Sequence, residues 1–147
     1  MRVVVQRSKN SSVSVDNKVV GSIDKGMVLL VGFTHTDTKE DIDYIVKKIL
    51  NLRIFDDENG VMNLSVKDTN GKILSISQFT LQADTRKGNR PSYINAMGGE
   101  EAIKLYEEFN DELRKEVEVE TGIFGAEMDV NIRNDGPVTI IIDSKVR

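Results

Sequence analysis

The sequence predicts one α/β or α+β domain over residues 1–147, a largely antiparallel or mixed sheet with two main helices packed on it. Three observations carry this. β-Branched runs fill the first third of the chain. Two apolar stripes at helical spacing follow, separated by strand-like segments. The chain then ends in two runs of strand character around a turn signal.

The elements follow in order. RVVVQRS is a β-branched strand. SVSVDNKVVGSI alternates Val13 and Val15 with serines and turns at Asp16-Asn17, residue types suited to a tight hairpin. GMVLLVGF, from Gly26 to Phe33, is continuously apolar, as a strand buried on both faces is. A helix follows, with Thr38 at its cap, Glu40 and Asp41 in its first turn, and Ile42, Ile45, Val46, Ile49 and Leu50 on one stripe. LRIFDDENG reads as a short strand and a polar loop. Residues 72–81 read as a further strand, and a basic loop, DTRKGNRPSYINAMGG, leaves it. A second helix runs from about Glu100 to Val117, with Ala102, Leu105, Tyr106, Phe109 and Leu113 on one face. AEMDVNIRN and VTIIID are the last two strands, with NDGP, an Asp-Gly turn signal followed by proline, between them. Repeats and low-complexity tracts are absent.

Composition narrows the function classes. The 147 residues are 39% hydrophobic and 30% charged, and at this length a core needs no covalent staples. With no cysteine there is no disulfide framework, thiol nucleophile or cysteine-ligated metal. The net charge of −4 does not suit a general nucleic-acid coat, so an RNA partner requires local basic patches. The apolar start breaks at Gln6 and Arg7, too short for a secretory core, and no window is long enough to span a membrane. A cytoplasmic location is expected. No glycine pattern marks a Rossmann or P-loop nucleotide site.

The chemistry-bearing residues are few. The single histidine, His35, reads as a solvated loop residue rather than a catalytic base. Asp56, Asp57 and Glu58 are adjacent acids without a partner histidine, which gives no metal site, and no cofactor is expected. SISQFTLQA is more informative, because Ser77, Gln78 and Thr80 crowd the exit of a strand beside Phe79. That segment is either a ligand site or an edge strand with mixed faces. NDGPVT is either a plain hairpin turn or a place where Gly136, lacking a Cβ, lets the backbone approach a ligand while Pro137 leaves only carbonyl acceptors. TGIFGAEM puts two glycines around Phe124, as a bend over a pocket or as a turn.

SQFTL at 77–81 and NDGPVT at 134–139 resemble, in order and spacing, the two signature motifs of the D-aminoacyl-tRNA deacylases, first named D-tyrosyl-tRNA deacylases. MRVVVQR, VDNKVVGSIDKGMVLLVGF, KILNLRIFDDENGVMNLSV, KGNRPSY and TGIFGAEM extend the resemblance over nearly the whole chain. It implies a β-barrel-like sheet with helices packed on it. It implies a homodimer with active sites at the interface, into which each subunit inserts a cis Gly-Pro pair. The activity implied is hydrolysis of the ester between a D-amino acid and the tRNA 3′ end, and of glycine mischarged on tRNA for alanine. Carried over, Ser77, Gln78, Phe79 and Thr80 form the catalytic segment. Gly136 and Pro137 exclude L-side chains, with Asn134, Phe124, Ala126 and Met128 around the substrate. Either Thr80 attacks as a nucleophile, or the terminal 2′-hydroxyl assists water while the protein holds the oxyanion; the second is favoured because the motif offers no activating base. Arg86, Lys87 and Arg90 are the first candidates for tRNA phosphate contact, with Lys47, Lys48 and Arg53 behind them. The rival classes are a small dimeric β-domain that binds nucleotides or a protein edge without catalysis, and a general esterase, which the lack of a nucleophile elbow disfavours.

Overall fold

A computed structural model describes all residues, 1–147. β1 (Arg2–Val15) and β2 (Lys18–Gly32) form one long antiparallel hairpin. Its turn holds Asp16 and Asn17 at φ of 50° and 64°, the pair of positive values that a two-residue hairpin turn requires. α1 (Lys39–Asn51), β3 (Phe55–Asp56), β4 (Met62–Leu64) and β5 (Lys72–Ser77) follow. A 3₁₀ turn (Phe79–Gln82) leads to α2 (Gly99–Arg114), β6 (Val119–Thr121) and β7 (Asp129–Asp143). The main sheet has the order β6-β5-β2-β1-β7, and β3 and β4 form a separate ribbon. β1 runs antiparallel to β2 and β7, whereas β5 is parallel to both β2 and β6. The mixed sheet and two helices match the expected class. No helix is long and apolar enough to cross a membrane.

Four expected boundaries differ. The three N-terminal strands are two, because the chain stays in the ladder through Gly26. Gly26 sits at φ 143°, and a Cβ there would lie 1.8 Å from the Lys72 carbonyl oxygen, so only glycine lets β2 pass β5 this closely. The strand expected over 72–81 stops at Ser77, where the Gln78 N–H turns to the Val31 carbonyl (2.7 Å) and the 3₁₀ turn begins. The second helix ends at Arg114, three residues before Val117. The two C-terminal strands are one, since β7 pairs with β1 on both sides of NDGP and no hairpin forms there.

The sheet has a core on each face. Val3, Val5, Met27, Leu29, Val31 and Ile73 pack against the stripes of both helices, including Ile42, Ile45, Ile49, Phe109 and Leu113. On the other face, Val28, Leu74 and Ile76 meet Val13 and Ile23 from the far end of the hairpin, with Met128, Val130 and Ile132 of the C-terminal segment against them. The hairpin therefore curls back over the sheet. This gives the barrel-like shape, although the sheet stays open between its edge strands, β6 and β7. Buried Asp41 helps anchor the start of α1. It accepts hydrogen bonds from the Thr38 N–H (2.9 Å) and the Ser144 hydroxyl (2.6 Å) and an ion pair from Lys145 (3.0 Å).

Candidate active site

Strands β2 and β5 run parallel, so their C-terminal ends open at the same edge. There Val31, Phe33, Ile76 and Ser77 form one wall of a cavity of about 480 Å³. Gln78 and Phe79 continue that wall. Met97, Gly99 and Ala102, at and just before the start of α2, close one side, and the 124–130 segment closes the other. The fold thus joins Ser77, Gln78 and Phe79 with Phe124, Ala126 and Met128 around one space.

The segment from Ser77 to Gln82 is fastened from below. Besides the Gln78 N–H, the Gln82 side chain donates to the Gly32 carbonyl (3.2 Å), and Arg2 Nη1 donates to the Leu81 carbonyl (2.7 Å). Tyr106, buried in α2, donates its hydroxyl to the Ser75 carbonyl (2.7 Å), which fixes β5 against the helix; burial pushes the Tyr106 phenol up. The ring of Phe124 packs on Tyr106, with centroids 5.8 Å apart. With the Gln78 N–H already used, the Phe79 and Thr80 N–H groups open the 3₁₀ turn and have no acceptor within it. Phe79 is exposed and meets Tyr93 edge-on at 5.1 Å.

Thr80 does not line the cavity. Its Oγ1 accepts a hydrogen bond from Gln78 Nε2 at 2.6 Å. A carboxamide is no base, so this contact does not activate a hydroxyl for attack. No lining residue carries a titratable side chain. His35 is exposed and bound through Nε2 to the Ile94 carbonyl (2.7 Å). Asp57 of the acidic run accepts the Asn59 and Val61 N–H groups inside its own turn.

Asn134, Gly136 and Pro137 lie elsewhere on the chain's surface, on the edge strand β7. Ser8 pairs with Asn134 and Gln6 with Thr139, so Arg7 alone faces residues 135–138 and the excess backbone arches out of the ladder. The Gly136–Pro137 peptide bond is cis. The Asn134 carboxamide braces the arch, donating to the carbonyls of Arg7 (3.0 Å) and Val138 (3.1 Å). Arg7 Nε donates to the Asp135 carbonyl (3.0 Å).

The basic loop is exposed. Arg86 is folded onto Asp84 (Nη2 to Oδ2, 2.6 Å), which holds that carboxyl down at about 2 and offsets the arginine's charge. Sequence reasoning missed Met97, Gly99, Ala102 and Val130, whose small or apolar side chains carry no chemical signal. Phe33 was marked only as the end of an apolar run.

A family model described as D-Tyr-tRNA(Tyr) deacylase matches residues 4–143. A D-aminoacyl-tRNA deacylase of Clostridium acetobutylicum is 60% identical over 146 residues, 99% of this chain and 98% of its own. The enzyme of that name in Bacillus cytotoxicus is 59% identical, with 99% and 100% covered. Among solved structures, the c-Myc DNA Unwinding Element Binding Protein superposes with a TM-score of 0.93 at 43% identity, over 97% of this chain and 98% of its own. A probable eukaryotic D-amino acid tRNA deacylase gives 0.82 at 18% identity, with 96% and 97% covered, and shares the fold. Matched by the family model over residues 4–143 and by relatives 59–60% identical over 99% of its length, the chain belongs to the D-Tyr-tRNA(Tyr) deacylase family.

Proposed function

We propose that this protein hydrolyses the ester joining a D-amino acid to the 3′ end of tRNA, and does so without a catalytic side chain of its own. The observation that carries the reading is a pocket edged by a hydroxyl- and amide-rich turn and lined by no titratable group. A pocket of this kind binds, orients and polarises. It does not move protons. An aminoacyl ester is already activated, and the 2′-hydroxyl beside the ester is the nearest group able to assist water. Water adds to the carbonyl carbon, the bond to O3′ breaks, O3′ takes one of the water's protons, the other passes to solvent, and the amino acid leaves as its carboxylate. The Phe79 and Thr80 N–H groups hold the developing oxyanion, where one well-placed donor contributes about 3 kcal/mol. Ser77 and Gln78 position the ester, Phe79 packs on the terminal adenine, and Phe124, Ala126 and Met128 border the amino acid.

The protein works as a cytoplasmic homodimer. Gly136 and Pro137 lie away from the cavity of their own chain, at an exposed strand edge, which suits delivery into a partner's cavity. There their carbonyls take the substrate ammonium. An L-side chain then meets the Gly-Pro wall, a D-side chain points out, and glycine, having no side chain, passes. Glycine mischarged on tRNA for alanine is therefore a second substrate.

Ester loss from D- and L-tyrosyl-tRNA tests the reading. The D-ester disappears and the L-ester persists. Equal persistence of both would favour a binding module without catalysis. A 2′-deoxy terminal adenosine abolishes turnover of the D-ester; full-rate hydrolysis of that substrate refutes the RNA-assisted step.

A further inference from the structure

A second cavity, of about 460 Å³, lies against the C-terminal half of α1. Tyr44, Lys47, Lys48, Asn51, Leu52 and Arg53 line it, with no carboxylate among them. Lys48 Nζ stands 5.7 Å from the Tyr44 ring centroid, and the Arg147 guanidinium covers the same ring at 4.4 Å. None of these four cations takes part in an ion pair, although the chain as a whole carries −4. The acids nearest in sequence are engaged elsewhere: Asp43 is held by Lys39 at 3.2 Å, Asp56 lies 3.6 Å from Arg7 Nη1, and Asp57 accepts the Asn59 and Val61 N–H groups, while the Arg53 guanidinium donates to Asn63. Cations without an ion-pair partner at one end of α1, two of them, Lys48 and Arg147, on the Tyr44 ring, fit a polyanion of regular spacing better than a single small ion on an acidic protein.

The patch is tied to the Gly-Pro arch. Arg7 donates through Nη1 to the carbonyl of Ile54 (2.7 Å), the residue after Arg53, and through Nε to the carbonyl of Asp135 (3.0 Å) at the foot of the arch. The Arg7 side chain is nearly buried, so this clamp holds the end of α1 and the arch in a fixed relation. In the loop Arg86–Arg90, Arg86 is already neutralised by Asp84, which leaves Lys87 and Arg90 as its unpaired cations, and no hydrogen bond ties that loop to the arch.

We infer that Lys47, Lys48 and Arg53 grip backbone phosphates of the tRNA body, and that the subunit lending the arch also lends this patch. The inference rests on the proposed function. One tRNA then spans the dimer, its 3′ end in one protomer's cavity and its phosphates on the partner's α1.

The test compares intact D-tyrosyl-tRNA with a short D-tyrosyl ester of its 3′-terminal nucleotides, using the full-length dimer. The variant is Lys47→Gln/Lys48→Gln/Arg53→Gln, all exposed positions. Each lost duplex phosphate contact lowers the salt slope of apparent affinity by about 0.9, so three lower it by about 2.7. Between 50 and 200 mM salt this makes the variant's affinity for tRNA about 40-fold less salt-sensitive than the wild type's. The short ester has no body to grip, and its kcat/KM holds. An unchanged slope overturns the inference. Failure of the wild type on both substrates instead overturns the proposed function. Mixed dimers locate the grip: with Gly136→Trp in one protomer, the only working cavity is roofed by the other protomer's arch. The three glutamines then lower the slope when placed on the arch-lending protomer, and the opposite pattern overturns the shared-subunit arrangement.

Discussion

Replacing Gly136 by alanine puts one methyl group into the brace of the arch. A Cβ built there lies 2.8 Å from Asn134 Oδ1 and 3.3 Å from Asn134 Cγ. The first is well inside an ordinary contact of about 3.5 Å and the second is tight, so the carboxamide must move. Asn134 is not free to do so at no cost, because its Nδ2 holds the carbonyls of Arg7 and Val138. Each of those hydrogen bonds is worth about 1 kcal/mol, and losing both releases the arch by about 2 kcal/mol. At 1.36 kcal/mol per decade, this is about a 30-fold loss of discrimination between D- and L-tyrosyl-tRNA. The assay is the ratio of kcat/KM for the two esters. A general loss of stability lowers the active fraction equally for both and leaves the ratio unmoved. A Gly136→Ala protein that keeps the wild-type ratio therefore refutes the reasoning, whatever its absolute rates.

Asn134→Ala removes the same two hydrogen bonds without the added methyl, and the D/L ratio falls by a similar factor in the same assay. Thr80→Ala keeps single-turnover hydrolysis of the D-ester within about tenfold of wild type, since it loses only the contact with Gln78; a fall beyond about a thousandfold would identify Thr80 as the nucleophile. Asp41→Ala destabilises the fold by about 2–4 kcal/mol at pH 7, read by urea unfolding, through loss of the Ser144, Thr38 and Lys145 contacts. Burial opposes ionisation of Asp41, but those three partners outweigh it and hold the carboxyl well below its usual range. Its contribution is therefore present above the unfolded value near 3.9 and is lost as pH falls from there through the folded value, so wild type and variant converge in acid. Tyr106→Phe leaves the buried Ser75 carbonyl without its hydroxyl donor and lowers stability by about 1–3 kcal/mol in the same unfolding experiment.

The helices were legible because their stripes repeat locally. All five apolar residues expected on α1 are buried, as are Ala102, Tyr106, Phe109 and Leu113 on α2. The end of β5 was not legible, since alternation continues past Ser77 in SISQFTL and only the distant Val31 carbonyl turns the chain at Gln78. NDGP was misleading for a related reason. Asp-Gly favours a hairpin, but β1 pairs with residues on both sides of it and keeps β7 in one line. Within the cavity, Ser77, Gln78, Phe79, Phe124, Ala126 and Met128 could be named because motif segments carry them. Met97, Gly99 and Ala102 enter only through the docking of α2, which no local pattern encodes.

The pairing of β7 with β1 on both sides of the arch has a mechanical consequence. A barrier that sorts substrates by refusing room is only as selective as it is stiff, because a yielding wall converts a clash into a small elastic displacement. A hairpin tip bends at one base and swings freely. Residues 135–138 instead span two feet set in the same β1 ladder, at Ser8 and at Gln6, like a bridge between abutments. Deflecting the span means disturbing backbone pairing on both sides at once.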